Sequence, residues 1–193
     1  MQLGFYFDQT RCTGCFACCI ACKDWHDIPA GPVHWIRVSS TEKGEFPSVF
    51  VSYYAGACYH CEKPACAEAC PSLAIAKRAN DGIVVVDSER CTGCRACLEA
   101  CPYGVPQFAD EAGATMQKCD LCAERWQQSK KPLCVDACPM RALDAGPLEE
   151  LRRKYGANNE AVGFTYSASV RPCIVIKPKP IPASVANSPK FRS

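Results

Sequence analysis

Residues 91–102 place the tightest constraint on what this chain can fold into. They read CTGCRACLEACP: three cysteines follow one another at intervals of three, a fourth comes after three intervening residues, and a proline follows it. This spacing is typical of a loop that brings three thiolates to one iron–sulfur cubane and carries the fourth thiolate away to a neighbouring cluster. Such a loop needs further cysteines near it, and the chain has three more groups of four.

The chain contains an internal repeat of this loop. Residues 8–22 match residues 87–101 at an offset of 79, with ten identical positions among fifteen. The match predicts that each copy supplies a short strand, a loop with three thiolates and a short helix that carries the fourth.

The two remaining cysteine groups also resemble each other. Residues 63–75 agree with residues 131–143 at seven of thirteen positions, and both segments contain Cys-x3-Cys-Pro. Taken alone, the group at 119–138 would also suit a zinc ribbon, but the repeat favours iron and sulfide. The four groups lie at 12–22, 58–70, 91–101 and 119–138 and use sixteen of the eighteen cysteines. Four [4Fe–4S] clusters are the simplest interpretation.

The cysteines outside this pattern are Cys19, expected to be a small buried residue, and Cys173, expected to be spare. His26, His34 and His60 are interpreted as ordinary side chains because better-spaced thiolates are available. No export signal is recognised at the N-terminus, so the cysteines are expected to be ligands rather than disulfides.

Composition excludes several classes of function. A net charge of +2, from 22 basic and 20 acidic residues, argues against a nucleic-acid-binding face. No apolar run approaches the roughly 18 residues of a membrane span. No nucleophile–base pair or phosphate-binding loop is recognised, so we expect a non-catalytic electron carrier. Some basic residues near the cysteines either offset cluster charge or are ordinary surface charges: Arg11, Arg90, Arg95, Lys118 and Arg141.

The expected fold class is α+β, with duplicated bacterial-ferredoxin-like modules of two [4Fe–4S] clusters each, short strands, loops and few helices. Residues 1–143 would form the tandem four-cluster domain, with a hairpin insertion at about 23–57 that turns at 42–44, and a second hairpin over 73–87. Residues 144–193 would form a helix over 146–156 and an extended arm. The prolines of that arm suit either a subunit-binding segment or a disordered end: Pro178, Pro180, Pro182 and Pro189.

Three features of the sequence carry a resemblance to a known family: the order of the four groups, the segment KKPLCVDACPMRALDAGPLEELRRKYG (130–156) and the segment PCIVIKP (172–178). With these features the chain resembles the iron–sulfur subunits of the molybdopterin oxidoreductase family, particularly the anaerobic dimethyl sulfoxide reductase branch. The resemblance implies that the first group shares its clusters with the fourth, and the second with the third. The first cluster would use Cys12, Cys15, Cys18 and Cys138, and the second Cys119, Cys122, Cys134 and Cys22. The third would use Cys58, Cys61, Cys66 and Cys101, and the fourth Cys91, Cys94, Cys97 and Cys70. Because position 94 is cysteine, the fourth cluster is expected to be a cubane rather than a three-iron cluster.

The resemblance also implies partners. A large subunit with a bis-molybdopterin guanine dinucleotide cofactor would lie near the Cys12 cluster, and a membrane quinol-oxidising subunit near the Cys91 cluster. The short 23–57 segment leaves open another molybdenum or tungsten enzyme, such as a thiosulfate or polysulfide reductase or a formate dehydrogenase. A free-standing polyferredoxin is the alternative. The protein is expected to be soluble and peripheral to the membrane through its partners. It would reach the extracytoplasmic face by export with a twin-arginine-tagged partner, or stay in the cytoplasm.

Overall fold

Short strands and short helices alternate along the chain, and the computed structural model describes residues 1–186. The strands are β1 (Leu3–Asp8), β2 (Arg37–Glu45), β3 (Ser48–Gly56), β4 (Ile75–Lys77), β5 (Val84–Val86), β6 (Leu143–Pro147) and β7 (Ile174–Lys177). The helices are α1 (Ala17–Trp25), α2 (Ala65–Glu68), α3 (Ala96–Ala100), α4 (Ala123–Gln127), α5 (Leu133–Asp136), α6 (Leu148–Tyr155) and α7 (Ala183–Ala186). These elements give the α+β class with short strands and few helices that the sequence predicts.

The largest sheet has the strand order β6-β1-β7 and joins the two ends of the chain. β1 is buried along its whole length and pairs antiparallel with β6 and parallel with β7. Because successive side chains of a strand point to opposite faces, Phe5 and Phe7 enter the main core, whereas Tyr6 packs with Leu148 and Leu151 of α6.

The C-terminal segment differs from the extended arm expected of it. Ile174, Val175 and Ile176 are buried in β7 and pair with β1, because a run of β-branched residues suits a strand in a sheet. The arm's Cys173 is completely buried at the start of that strand. Of the arm's four prolines, Pro189 lies outside the described residues.

The turn of the β2–β3 hairpin lies closer to the C-terminus than predicted. The two strands pair from Arg37 opposite Gly56 to Glu45 opposite Ser48, so the predicted turn at 42–44 is wrong. The chain turns instead at Phe46 and Pro47, where proline, which has no N–H to donate to the ladder, is best tolerated. The inner face of β3 is buried, and the hairpin packs over the cysteine-rich core.

The second predicted hairpin is confirmed. β4 and β5 pair antiparallel, and the Ile83 N–H donates to Asp81 Oδ1 at 3.0 Å within the connecting turn. Gly82 in that turn has φ +72°, a conformation that glycine adopts without strain.

Helix α6 confirms the amphipathic pattern predicted after the last cysteine group. It begins two residues later than predicted, because Gly146 and Pro147 complete β6. Leu148 and Leu151 are buried, and the Tyr155 ring stacks on Tyr6 with the ring centroids 3.6 Å apart. Over residues 1–186, none of the helices combines the length and the apolar character that a membrane crossing requires.

Candidate metal centres

All eighteen cysteines are free thiols. Two sets of four line small cavities, and eight further thiols fall into two sets whose members act electrostatically on one another. We call these sets quartets 1 to 4, numbered in the same order as the four clusters expected from the sequence. Quartet 1 is Cys12, Cys15, Cys18 and Cys138, and quartet 2 is Cys22, Cys119, Cys122 and Cys134. Quartet 3 is Cys58, Cys61, Cys66 and Cys101, and quartet 4 is Cys70, Cys91, Cys94 and Cys97.

Two loops with the same backbone conformation position six of these thiols. Gly14 and Gly93 both have φ +69°, and two residues later Phe16 and Arg95 are also left-handed, with φ 60° and 65°. The left-handed turns fold each loop back on itself, and α1 and α3 begin directly after them. The loop cysteines of each copy are thereby turned towards a common point.

The members of quartet 1 line one small cavity, and the members of quartet 4 line another. Quartet 1 lies under the β2–β3 hairpin, where Val38 and Ala55 close its cavity. The cavity of quartet 4 is closed by Phe108 and Met116. Each cavity therefore presents four sulfur atoms within an otherwise largely apolar wall.

Quartets 2 and 3 are deeper in the molecule, and their thiols act on one another. Burial raises the pKa of Cys119 well above its ordinary value, and the neighbouring Cys134 adds to the rise. In quartet 3, burial raises the pKa of Cys66 to about 12, with Cys58 acting in the same direction. Buried thiols that raise one another's pKa do not ionise together without a cation to hold them.

Backbone N–H groups point at the sulfur atoms of three quartets. The Ala74 and Ala142 N–H groups donate to the sulfurs of Cys70 and Cys138, each at 3.3 Å. The Leu121 N–H donates to Cys119 Sγ at 3.3 Å, and the Met116 N–H donates to Cys91 Sγ at 3.4 Å. Such bonds favour the thiolate form, which is the form that binds metal.

The buried side chain of His60 tests whether an iron–sulfur group fits. Its Nδ1 accepts the Val84 N–H at 3.0 Å, so the ring proton resides on Nε2, which is buried without a hydrogen-bond partner among the described residues. In the sequence, His60 lies between Cys58 and Cys61 of quartet 3. A buried donor beside soft thiol ligands fits a group with sulfur acceptors, and the donor set of four thiols per site suits iron–sulfur clusters.

Each quartet acts electrostatically on the next one in the order 1 to 4. The charge of Cys18 in quartet 1 acts on Cys22 and Cys134 in quartet 2. The charge of Cys58 in quartet 3 acts on Cys119 in quartet 2, and that of Cys97 in quartet 4 acts on Cys66 in quartet 3. Only Cys15 and Cys94 among the sixteen are exposed, and they belong to the two end quartets.

His26 has a contact that the sequence does not predict. Its Nε2 lies 3.4 Å from Cys122 Sγ and 3.7 Å from Asp120 Oδ1, and its ring packs against Trp35 at 4.4 Å. The contact joins residues 96 positions apart, so no local spacing announces it. His34 is half-buried, and its pKa is lowered by burial and by nearby Lys23.

The two spare cysteines are both buried. Cys19 is buried in the main core, as expected. Cys173 packs with Tyr6 and Val175 beneath α6, and its Sγ lies 3.9 Å from the Arg171 carbonyl oxygen. Neither lines the cavity of quartet 1 or quartet 4.

Comparison with known proteins shows which family this chain resembles. A family model described as a 4Fe–4S dicluster domain matches residues 49–148. The sequence is 45% identical over 185 residues to the B subunit of anaerobic dimethyl sulfoxide reductase of Escherichia coli (strain K12), and the match covers 92% of this chain and 89% of that protein. It is 42% identical over 186 residues to the protein of the same name from Haemophilus influenzae, with coverages of 92% and 89%. It is 37% identical over 151 residues to protein NrfC of Escherichia coli (strain K12), with coverages of 78% and 67%.

The fold and the clustered thiols, together with the matched domain, define an iron–sulfur protein with a ferredoxin-like 4Fe–4S dicluster domain. Its role is electron transfer. Within that class, this protein belongs to the family of the anaerobic dimethyl sulfoxide reductase B subunit.

Proposed function

We propose that the chain holds four [4Fe–4S] clusters, one in each quartet, and acts as a non-catalytic electron-transfer subunit. When bound, such clusters each exchange one electron at a time. The residues of the chain supply the thiolates, exclude water from quartets 2 and 3, and aim N–H groups at sulfur. The matched left-handed residues, Gly14 with Gly93 and Phe16 with Arg95, support the proposal that the four-cluster unit arose by duplication.

The observation that carries the proposal is the chain of electrostatic contacts from each quartet to the next, with an exposed thiol only in the first and the last. No thiol of quartets 2 and 3 is exposed, whereas Cys15 and Cys94 of the end quartets are accessible to a partner. This is the arrangement that a conductor between two partners requires. A catalytic protein would instead need a substrate site at one of the centres.

The partners follow from the relatives. Two of them are named as the B subunit of a dimethyl sulfoxide reductase, a name that assigns them to a complex with other polypeptides. We propose that quartet 1 faces a large molybdopterin-containing catalytic subunit and that quartet 4 faces a membrane subunit linked to quinol. The protein would then lie at the membrane through its partners, on the extracytoplasmic face after export with a twin-arginine-tagged partner, or in the cytoplasm.

Anaerobic purification at native expression levels tests the subunit assignment. We expect a large polypeptide to co-elute, molybdenum or tungsten to be present, and about sixteen irons to accompany this chain, four for each cluster. A small brown protein that elutes alone without either metal would instead establish a free-standing polyferredoxin. A colourless protein with zinc and no acid-labile sulfide would contradict the cluster assignment itself.

The variant Cys94→Ser tests whether the quartets are independent. Cys94 belongs to quartet 4, whose four thiols come only from the second and third cysteine groups. We expect the EPR signal of one cluster to change or disappear and the other three to persist. Cys173→Ser is the matched control, because it exchanges the same atoms outside the quartets. Loss of all four signals in Cys94→Ser, with the control intact, would contradict independent quartets.

A further inference from the structure

Five basic residues lie close to the cysteines in the sequence, and one of them differs from the other four in its burial. Arg11, Arg90, Arg95 and Arg141 are exposed. Lys118 is buried, with only 3% of its surface exposed. Exposed charges are screened by water and salt, whereas a buried charge acts on its neighbours through a medium of low dielectric constant. Only Lys118 among these five can therefore act strongly on the buried quartets.

The ammonium group of Lys118 has no acidic partner among the described residues. Its Nζ donates a short hydrogen bond to the Val84 carbonyl oxygen and another, of 3.1 Å, to the Cys119 carbonyl oxygen. Carbonyl dipoles satisfy its N–H donors but do not cancel its charge. An uncompensated buried charge is costly, so such groups are normally paired with an opposite charge.

A second ammonium group repeats this pattern nearby. Lys77 is half-buried, and its Nζ donates to the carbonyl oxygens of Cys61 at 2.7 Å, His60 at 3.3 Å and Gly82 at 3.2 Å and to the Gln2 side-chain oxygen at 2.7 Å. Both lysines connect to His60, the fully buried residue directly before Cys61 in the sequence. Lys77 donates to the His60 carbonyl oxygen, and Lys118 donates to the carbonyl oxygen of Val84, whose N–H donates to His60 Nδ1. Two cations thus converge on quartet 3, and neither forms an ion pair with a carboxylate in the described part of the chain.

The thiols of quartets 2 and 3 are the groups that supply negative charge near these lysines once they are ionised. Lys118 directly precedes Cys119 of quartet 2 and donates to its carbonyl oxygen at 3.1 Å. Its other acceptor, the Val84 carbonyl oxygen, belongs to the residue whose N–H donates to His60, the residue directly before Cys61 of quartet 3. The ammonium therefore lies where two interior quartets meet. A quartet of thiolates holding iron and sulfide carries net negative charge, and adding an electron increases it.

We propose that Lys118 is the shared counter-charge of quartets 2 and 3, a positioning residue that makes reduction of the two interior centres more favourable. This inference rests on the proposed four-cluster function. Its consequence is that the interior of the conductor is held at a higher potential than four thiolates in an apolar core would otherwise allow. The two exposed quartets gain no comparable charge, because the arginines near them are solvated.

Redox titration of the Lys118→Met variant, followed by EPR on the full-length protein, tests the proposal. Methionine keeps the length and the apolar stem but removes the charge. We expect the reduction equilibrium of the two interior clusters to shift at least tenfold towards the oxidised form, which is 59 mV for a one-electron couple. Arg90→Met is the matched control: it removes an exposed charge from the residue directly before Cys91 of quartet 4, as Lys118 directly precedes Cys119, and we expect a shift smaller than threefold.

Assigning the signals requires variants at the two accessible ends. Cys15→Ser and Cys94→Ser identify the signals of quartets 1 and 4, and the two unaffected signals then belong to quartets 2 and 3. Should Lys118→Met not retain about sixteen irons, Lys77→Gln removes the second cation, and we expect a shift confined to the interior signals, with those of quartets 1 and 4 unchanged.

The outcomes separate this inference from the proposed function. Unchanged potentials in a fully loaded Lys118→Met variant, or an equal shift of all four signals, would overturn the role of Lys118 and show that the lysine only clamps Val84 to Cys119. A wild-type protein with fewer than four cluster signals would overturn the proposed function instead. For a variant that loses iron, the absence of any shift in Lys77→Gln would also count against the inference.

Discussion

Gly93 is the residue at which a single methyl group should remove one cluster. It has φ +69°, and a Cβ atom placed there would lie 2.8 Å from the backbone oxygen of Ala114. The left-handed conformation alone costs an alanine about 1–2 kcal/mol. The contact with Ala114 adds to this cost, because the distance is about 0.6 Å shorter than 3.4 Å, the lower limit of ordinary contact. Relieving it requires a displacement larger than the roughly 0.5 Å that a metal site tolerates.

The displaced segment is attached to quartet 4. The Met116 N–H, two residues after Ala114, donates to Cys91 Sγ at 3.4 Å. If Ala114 moves away from a new methyl group, the Met116 N–H that donates to the sulfur of Cys91, a proposed ligand, moves with it. We expect Gly93→Ala to lose the quartet 4 cluster and retain about twelve irons rather than sixteen, at four irons for each cluster.

The neighbouring Gly113→Ala is the matched control for Gly93→Ala. Gly113 also has a positive φ, of +79°, but a Cβ atom there meets nothing within 4 Å. Gly113→Ala should incur the conformational cost alone and keep all four EPR signals. Iron and sulfide per chain and the EPR spectrum of the reduced protein are the measurements. Four intact signals in Gly93→Ala, with stability equal to that of Gly113→Ala, would refute the role assigned to the contact with Ala114.

Two further variants test the framework around the quartets. Asp144 is buried and accepts hydrogen bonds from Lys131 and, at 2.7 Å, from the Tyr155 hydroxyl. Burial acts to raise the pKa of Asp144, but these hydrogen bonds outweigh it and hold the pKa below the ordinary 3.8. A lowered carboxyl pKa contributes stability above the ordinary pKa and loses it only as the pH falls through the lowered value. Asp144→Asn should therefore lower the free energy of unfolding by about 2 kcal/mol, and thermal unfolding at pH 7 and pH 5 should show the same deficit; a deficit that disappears by pH 5 would be inconsistent with the lowered pKa. Cys173→Ala should keep the full iron content, because Cys173 belongs to no quartet, and the loss of one cluster's iron from this variant would make it a ligand.

Only part of the grouping of the cysteines is fixed locally and could be predicted from the sequence; the joining of distant groups, such as Cys138 with Cys12, was implied only by the family resemblance. A loop with Cys-x2-Cys-x2-Cys brings three thiols together whatever the rest of the chain does. The hairpin over 73–87 was predictable for the same reason, since Asp81 and Gly82 form a turn between two apolar runs. The β2–β3 turn was misplaced because both Gly44 and Pro47 suit a turn, and cross-strand pairing decides between them.

Contacts between distant residues left no local signal. The parallel pairing of β7 with β1 joins residues near both ends of the chain, and Ile174 to Lys177 look the same in the sequence whether they form an arm or a strand. Lys118 and His26 are single residues with no periodicity, and only the packing around them shows that one is buried and the other touches a proposed ligand. The tertiary structure decides which side chains are buried. The sequence alone therefore does not show whether a basic residue beside a cysteine is solvated or acts on a buried site.

Quartet 1, one of the two proposed centres with an exposed thiol, is braced by both ends of the chain. Quartet 1 has Cys15 at the surface, so burial contributes less to its rigidity than it does for quartets 2 and 3. A series of hydrogen bonds compensates. Lys177 in β7 donates to the carboxylate of Asp8 at 3.2 Å, the Asp8 N–H donates to the Ala142 carbonyl oxygen at 2.7 Å, and the Ala142 N–H donates to Cys138 Sγ at 3.3 Å. Each bond joins a different part of the chain, so the C-terminal strand, β1 and the last cysteine group hold one another in place. A centre that must meet a partner has to be accessible without being loose, and the β6-β1-β7 sheet supplies that rigidity from behind.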